Sequence, residues 1–350
     1  MSLAHVRRSD RLLDVLSQHG EILVVTHDNP DPDALASGWA IRRLIEARLG
    51  KTPRFIAGGE IVRAENRHMV RTLKVPIELV DDTEVGPEAA VVLVDCNAGA
   101  THHLMARNGL KPAAIVDHHG TSSRSNGVPF YDVRPRAAAC SSIVASYFRE
   151  QGLEIDADLA TALLFAIPTE TRGSDTPYSR LDRAALVWLT GRANLSRIAE
   201  IENAPLSREY FDNLILALQN TFLYGDAAFC LLPRADSPEI VGEVADLLIR
   251  YNKVRRVICG AVIHHDLLVS VRTQHNGDDA STLVTATLAG IGHGGGHQNR
   301  AGGKVVSIAR GPKVPENLEE DLRSRWLAAC GVKRRRGTRL ISPRDILQNL

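Results

Sequence analysis

Acidic and imidazole side chains gather at four points along the chain, each directly after an apolar run. They are His27-Asp28-Asn29-Pro30-Asp31-Pro32-Asp33, then Asp95, then Asp117-His118-His119, then Glu170. Carboxylates and imidazoles brought together repel one another unless a cation sits between them. The pattern therefore points to a metal site, and the number of donors points to two ions. A fifth element, Gly294-Gly295-Gly296-His297, lies far downstream. A glycine run of this kind lets backbone amides approach a phosphate closely. Taken singly, each Asp is equally well explained as a helix cap or loop carboxylate, and the glycines as a turn. The joint placement is what favours chemistry.

That placement depends on the elements that carry these groups. Residues 21–26 (EILVVT) read as a buried strand, followed by a helix over about 34–49. Residues 53–57 are a weaker strand, and 89–94 (AAVVLV) and 113–116 (AAIV) are stronger ones, with a short helix over 102–108. Strands alternating with helices imply an α/β fold, a parallel sheet with helices on both faces. The first cluster then follows one strand, Asp95 ends a second and Asp117 ends a third. Open parallel sheets bind ligands beyond the carboxyl ends of their strands, near a topological switch point.

Helices are predicted over 137–151 and 156–167, with Pro168 interrupting the second just before Glu170. Another spans 181–190 and stops at Gly191. The amphipathic stretch 195–223, broken near Pro205, reads as a helical connector. A smaller α/β domain with a mixed sheet follows. Its strands fall at 227–232, 257–263 and 267–271, its helices at 238–249 and 280–288, and 305–308 closes the sheet. From about residue 312 the chain is charged, ending near Lys333-Arg334-Arg335-Arg336; this reads as a solvated tail, with a nucleic-acid contact as the alternative.

A chain of 350 residues can bury a sizeable core, and two domains are the natural expectation. Hydrophobic content of 44% and charged content of 24% describe an ordinary soluble globular protein. A net charge of +1 argues against a broad basic face for a long duplex, and suits a small anionic substrate held by local cations. The five cysteines are scattered and form no CxxC pair, which argues against a zinc knuckle and for reduced thiols in the cytoplasm. The first residues read as an amphipathic helix and not a signal peptide. No apolar run approaches the roughly 20 residues that span a bilayer, so no membrane partner is expected.

The motifs HDNPDPDA, VDCN, DHHG and GGGHQNRAGG, in this order and spacing, resemble those of the DHH phosphoesterase superfamily. More narrowly they resemble the branch whose DHH-associated C-terminal domain carries a glycine-glycine-glycine-histidine loop. That branch includes nanoRNases that also act as phosphatases of adenosine 3',5'-bisphosphate (pAp), RecJ-like exonucleases and cyclic-dinucleotide phosphodiesterases. The resemblance covers roughly residues 15–308. The order differs from that of the family's inorganic pyrophosphatases, whose C-terminal domain lacks the glycine-histidine loop.

The resemblance implies a catalytic metal-binding DHH domain over 1–191, a helical connector over 192–225, a substrate-binding domain over 226–311 and a charged tail over 312–350. His27, Asp31 and Asp95 would hold one ion. Asp33, Asp95, His118 and Glu170 would hold the second, with Asp95 bridging. The mixed donor set suits Mn²⁺, with Mg²⁺ or Co²⁺ as substitutes. Two ions about 3.5–4 Å apart would activate water for in-line attack on phosphorus. Asp117 would orient an imidazole. His119 would contact a phosphate or protonate the leaving oxygen, or serve as a structural histidine. Asp28 and Asn29 would shape their loop.

On the substrate side, Arg272 would grip a terminal phosphate. Gly295 and Gly296 would offer amides, His297 and Asn299 hydrogen bonds, and Arg300 positive charge. His264, His265, His275 and His293 carry no assigned role. The chain departs from the family at Glu170-Thr171, where Asp-Thr is usual; the extra methylene moves the carboxylate by up to about 1.5 Å. Asp175 is a rival ligand. The implied activity is hydrolysis of short nucleotides (nanoRNA, pAp, linear or cyclic dinucleotides) held between the two domains. A nucleotide sensor with little or no catalysis is one alternative, and a polyphosphate or pyrophosphate hydrolase another. A homodimer remains open.

Overall fold

A computed structural model describes residues 7–83, 85–86, 88–97, 99, 102–108, 111–120, 127–171, 177–233, 235, 238–263, 265–274, 277–296, 298–306, 314–333 and 336–342. The chain divides into two units, Met1–Ala204 and Pro205–Leu350.

In the first unit α1 (Arg8–Ser17) precedes β1 (Ile22–Val25), α2 (Pro32–Leu49), β2 (Arg54–Ala57), α3 (Ala64–Leu73) and β3 (Ile77–Leu79). Then come β4 (Ala90–Val94), α4 (Leu104–Asn108), β5 (Ala114–Asp117), β6 (Phe130–Val133), α5 (Cys140–Gln151), α6 (Ala157–Thr171), α7 (Arg180–Thr190) and α8 (Leu195–Glu202). The strands form a six-stranded sheet in the order β3-β2-β1-β4-β5-β6, every pair parallel. The chain builds outward from β1 through β2 to β3, then returns to the other side of β1 for β4. The switch point therefore lies between β1 and β4, whose ends are level: Val25 pairs with Leu93.

Alternate residues of each strand face opposite sides. Ile22, Val24, Val92, Val94 and Val116 join the main core with α1, α2, α5 and α6. Leu23, Val25, Val91, Leu93 and Ile115 meet Leu104 and Met105 of α4. Helices thus cover both faces, but unequally, and the short α4 lies over the second. Asp31 starts α2 by accepting from the amides of Asp33 and Ala34, with Pro32 at the first helical position. A capping box between Ser179 and Asp182 starts α7, and the same Asp182 accepts from the Ala138 amide.

Pro168 does not interrupt α6; the helix runs through it to Thr171. Proline lacks one N–H and bends the preceding turn, but so near the helix end it forfeits a single backbone bond. Glu170 is consequently a last-turn helical residue and not a loop residue.

The second unit contains α9 (Arg208–Gln219), β7 (Thr221–Tyr224), β8 (Ala227–Leu232), α10 (Glu239–Leu248), β9 (Arg256–Ile263) and β10 (Asp266–Thr273). These are followed by α11 (Ala280–Leu288), β11 (His293–Gly296), β12 (Arg300–Val305), α12 (Glu316–Ala329) and β13 (Thr338–Arg339). Its seven-stranded mixed sheet has the order β11-β12-β10-β9-β8-β7-β13, with β8 and β9 parallel and the other pairs antiparallel. One face packs α11 and α12 through Leu283, Leu288, Leu322 and Trp326; the other packs α10 through Ile240, Val244 and Leu248.

The stretch read as a connector is divided near Pro205, where its sequence is broken: α8 belongs to the first unit and α9 to the second, and its last residues enter β7. Residues 316–329 are not a tail, because the fully buried Trp326 and Leu322 fasten α12 into the second core while its charges face outward. The strand beside β10 spans 300–305, and residues 307 and 308 of the strand expected at 305–308 lie outside the described residues. Among the described residues no helix is long and apolar enough to cross a membrane.

Candidate metal centre

The site forms where β1, β4 and β5 end. His27 follows β1, and its Nδ1–H donates to the Asp28 carbonyl at 2.9 Å. A carbonyl only accepts, so in the neutral ring Nε2 carries the lone pair. That Nε2 lies 3.7 Å from Asp95 Oδ2 and 3.9 Å from Asp31 Oδ1. Three lone-pair donors thus face one another, an arrangement that favours a cation among them.

Asp95 follows β4 in the left-handed region at φ 57°, a conformation Asp tolerates better than most residues. Its amide donates to the Val116 carbonyl at 2.9 Å, turning the side chain into the site. The residue is 2% exposed, and its Oδ1 has no hydrogen-bond partner. Burial, reinforced by Asp33 and Asp31, holds this carboxyl well above the usual carboxylate range.

Asp117 ends β5. Its Oδ1 accepts from the amides of His118 and His119 and from His119 Nδ1, the last at 2.8 Å. Burial works against ionisation of Asp117, but the hydrogen bond and charge of His119 outweigh it, so its pKa falls. The same bond to Asp117 raises His119 to about 9. His118 is oppositely placed: burial lowers its pKa, and its buried Nε2 has no hydrogen-bond partner. That nitrogen sits 3.4 Å from Asp95 Oδ1 and 3.8 Å from Asp33 Oδ2.

Two compact donor groups result, His27 with Asp31 and Asp95, and Asp95 with His118 and His119; within each, the donor atoms lie within 4.8 Å of one another. Asp95 is common to both. The orphaned, buried Asp95 Oδ1, Asp117 Oδ2 and His118 Nε2 fit occupation by divalent ions. Asp33 and Glu170 lie outside both compact groups. Asp33 is fully buried at the start of α2, where its two oxygens accept from Cys140 N at 2.6 Å and Ser141 N at 2.8 Å. It therefore anchors the start of α5 as well as facing His118. Glu170 is near enough for the charges of Asp31, Asp33 and Asp95 to act on it, and with burial as the largest cause its pKa rises to about 10.

Asn29 shapes the first loop in the left-handed conformation: its Oδ1 accepts from Glu60 N at 2.9 Å. Sequence reasoning gave no role to the histidines beside it. His102 accepts from Asp28 N through its carbonyl, and its ring lies 6.0 Å from that of His27. The buried His103 forms a β-bridge with His27. The paired histidines at 102–103 were the available signal, obscured by reading 102–108 solely as a helix.

Within the second unit, Arg272 on β10 stands opposite Arg300 on β12. Arg272 is not a free phosphate hand: Nε donates to Asp246 at 2.6 Å and Nη1 to Ser270 Oγ at 2.7 Å. Asp246 lies 3.7 Å from Arg300 as well, and so bridges two facing cations.

The glycine run is a strand, β11, and not a loop. A Cβ on Gly294 would meet Val284 of α11 at 2.9 Å, and one on Gly303 would meet Leu288 at 2.3 Å. Gly296, at φ 152°, lies against Ala301. A Cβ on Gly295 would meet nothing within 4 Å, so packing does not require that glycine. Asn299 is buried and its carbonyl accepts from Thr273 N. His264, His275, His297 and Asp175 lie outside the described residues.

Residues 21–167 match the model of the DHH family, N-terminal domain. Across 318 residues the chain is 27% identical to an uncharacterised protein of Methanocaldococcus jannaschii, covering 89% of this chain and 64% of that protein. It is 27% identical over 153 residues to a probable manganese-dependent inorganic pyrophosphatase of Exiguobacterium sp., covering 43% of this chain and 48% of that one. The chain therefore spans about half to two thirds of the length of these relatives. Among solved structures, an exopolyphosphatase-related protein from Bacteroides fragilis shares the fold, with a TM-score of 0.65 and 15% identity over 92% of this chain and 97% of that chain.

Proposed function

We propose, from the premise that this chain belongs to the DHH superfamily through residues 21–167, that it is a metal-dependent hydrolase of phosphoester bonds in short nucleotides. The observation that carries this reading is the convergence of two donor groups on the buried Asp95, at the switch point of a parallel sheet. His27, Asp31 and Asp95 would hold one divalent ion, and Asp95 with His118 the other, with His119, Asp33 and Glu170 bordering the second. Mn²⁺ is the favoured ion, in keeping with the name of the Exiguobacterium relative. Such ions, when bound, lower the pKa of a coordinated water and offset charge on phosphoryl oxygens.

The remaining work belongs to the chain's own groups. His119 is held by Asp117, whose hydrogen bond raises it to about 9 in the metal-free protein. It therefore donates either to a nonbridging phosphate oxygen or to the leaving oxygen. Asp117 fixes the orientation of that ring. Arg272, Arg300, Gly295, Gly296, His297 and Asn299 form the proposed binding set of the second unit, with the Arg272 guanidinium first having to exchange Asp246 for a phosphate. The near-neutral chain favours short substrates over long duplexes, and its five buried free cysteines suit a reducing cytoplasm.

The name of the Exiguobacterium relative supports one second reading, a pyrophosphate or polyphosphate hydrolase. Purified protein with saturating Mn²⁺ is to be assayed on pAp, a dinucleotide, pyrophosphate, short polyphosphate and a model phosphodiester. Turnover of pAp or the dinucleotide with chelator-sensitive kinetics supports the main reading. Turnover confined to pyrophosphate or polyphosphate supports the second. No turnover of any of them leaves a nucleotide sensor.

A further inference from the structure

Arg272 of β10 and Arg300 of β12 are direct cross-strand partners, so their side chains leave the second sheet on the same face. Like charges placed opposite each other destabilise a sheet, and stability alone gives no reason for the pair. Asp246 of α10 reaches both: its Oδ1 accepts from Arg272 Nε at 2.6 Å and lies 3.7 Å from Arg300 Nη2. One carboxylate thus answers two guanidiniums. All three residues are only partly buried, so a solute can reach them.

The Arg272 guanidinium is anchored on two sides and open on the third. Nη1 donates to Ser270 Oγ at 2.7 Å and to the Val271 carbonyl at 3.0 Å, while no hydrogen bond runs from Nη2 to another described residue. Beside Nη2 lies Gly242, one turn before Asp246 on α10. A Cβ on Gly242 would stand 3.5 Å from Nη2 and 4.0 Å from Ser270 Oγ, ordinary contact distances. Packing therefore does not require glycine here, and glycine inside a helix is disfavoured. An oxygen accepting from Nη2 would sit about 2.7–3.2 Å from it, in space that the missing side chain leaves free.

We propose that Asp246 is a built-in competitor for phosphate at the Arg272–Arg300 pair, and that a ligand phosphate enters over Gly242 to displace it. The proposal rests on the reading of these two arginines as a phosphate-binding pair. Its consequence is a threshold set by charge. A phosphodiester carries one negative charge, so it replaces the carboxylate one for one and gains little. A terminal phosphomonoester carries about 1.5 to 2 negative charges at pH 7 and has three free oxygens to share between two guanidiniums. It wins the exchange. Linear nucleotides with a free terminal phosphate are therefore accepted, and cyclic dinucleotides, which hold only diesters, are turned away. When the phosphate leaves, the carboxylate returns and opposes rebinding.

The test is isothermal titration calorimetry of the full chain in chelator, with adenosine 5'-monophosphate and its phosphate methyl ester as probes. Asp246→Asn keeps the shape of the side chain and removes its charge. It binds the monophosphate about tenfold more tightly than the wild type does, and brings the methyl ester into the measurable range. The sign is diagnostic, because a carboxylate that merely held Arg272 in place would, on removal, weaken binding. Gly242→Ala binds the monophosphate at least about fivefold more weakly, while its thermal melt is unchanged or raised. Unchanged or weaker binding by Asp246→Asn overturns the proposal, as does wild-type affinity in Gly242→Ala, or a wild type that binds both probes equally well. If the variants behave as stated and no substrate is turned over with Mn²⁺, the hydrolase reading fails and the competitor role stands.

Discussion

Glu170→Gln is expected to stabilise the metal-free protein and destabilise the metal-loaded one. Glu170 sits in the last turn of α6, where burial and the charges of Asp31, Asp33 and Asp95 raise its pKa to about 10, from an ordinary value of 4.5. A carboxyl that is harder to ionise when folded binds its proton more tightly in the native state. The stability it lends is therefore complete below about pH 4.5 and is lost progressively as the pH rises toward 10. By pH 7 the unfolded chain has gained about 2.5 pKa units of ionisation that the native state withholds, a loss of about 3 kcal/mol at 1.36 kcal/mol per unit. Glutamine keeps the shape and carries no charge. In chelator at pH 7 the variant should be up to about 3 kcal/mol more stable, a rise in Tm of roughly 6–12 °C for a domain of this size. At pH 4.5 the two proteins should nearly coincide. With saturating Mn²⁺ the order should reverse, because the wild-type carboxylate is then ionised beside a cation. Denaturant and thermal melts at the two pH values, with and without metal, measure all of this. If the variant in chelator at pH 7 is no more stable than the wild type, Glu170 is not crowded among the other acids, and its part in the centre is wrong.

Asp95→Ala removes the carboxylate common to both donor groups and should cut hydrolysis by at least about a thousandfold, with metal content measured by elemental analysis falling for both ions. Asp117→Asn should lower metal affinity or activity about 10- to 100-fold. It should also move the His119 titration down from about 9 toward the ordinary imidazole value, which a histidine NMR titration follows. Gly303→Ala places a methyl 2.3 Å from Leu288 and should destabilise the fold by about 1–3 kcal/mol in a urea melt. Gly295→Ala has open space around it and should leave the melt unchanged; a rise in KM for nucleotide substrates would mark that glycine as kept for ligand approach.

Legibility followed burial. Strands β1, β4 and β5 lie inside the sheet and are apolar on both faces, so their runs stood out from the sequence within a residue of their ends. The edge strands β3 and β6 are short and partly polar, and carried no such signal. Strand β11 was hidden by its glycines, which have no side chains from which to read a period. Helix α12 was hidden by its charges, since Leu322 and Trp326 are a small minority among them. In the site, the clustering of His27, Asp31 and Asp95 could be expected because strand ends in one sheet are neighbours by topology. The attachment of Asp33 to α5 could not, because it joins side-chain oxygens to amides 107 and 108 positions away and leaves no periodic trace. Nor could the pairing of Arg272 with Asp246, which depends on how α10 lies across the second sheet.

The Asp33 carboxylate answers to two masters, the opening amides of α5 and the imidazole edge of the centre. Any pull on it from one side must loosen or tighten its grip on the other. Solvent exchange at the Cys140 and Ser141 amides thereby becomes a remote gauge of whether the centre is filled, readable without substrate or turnover.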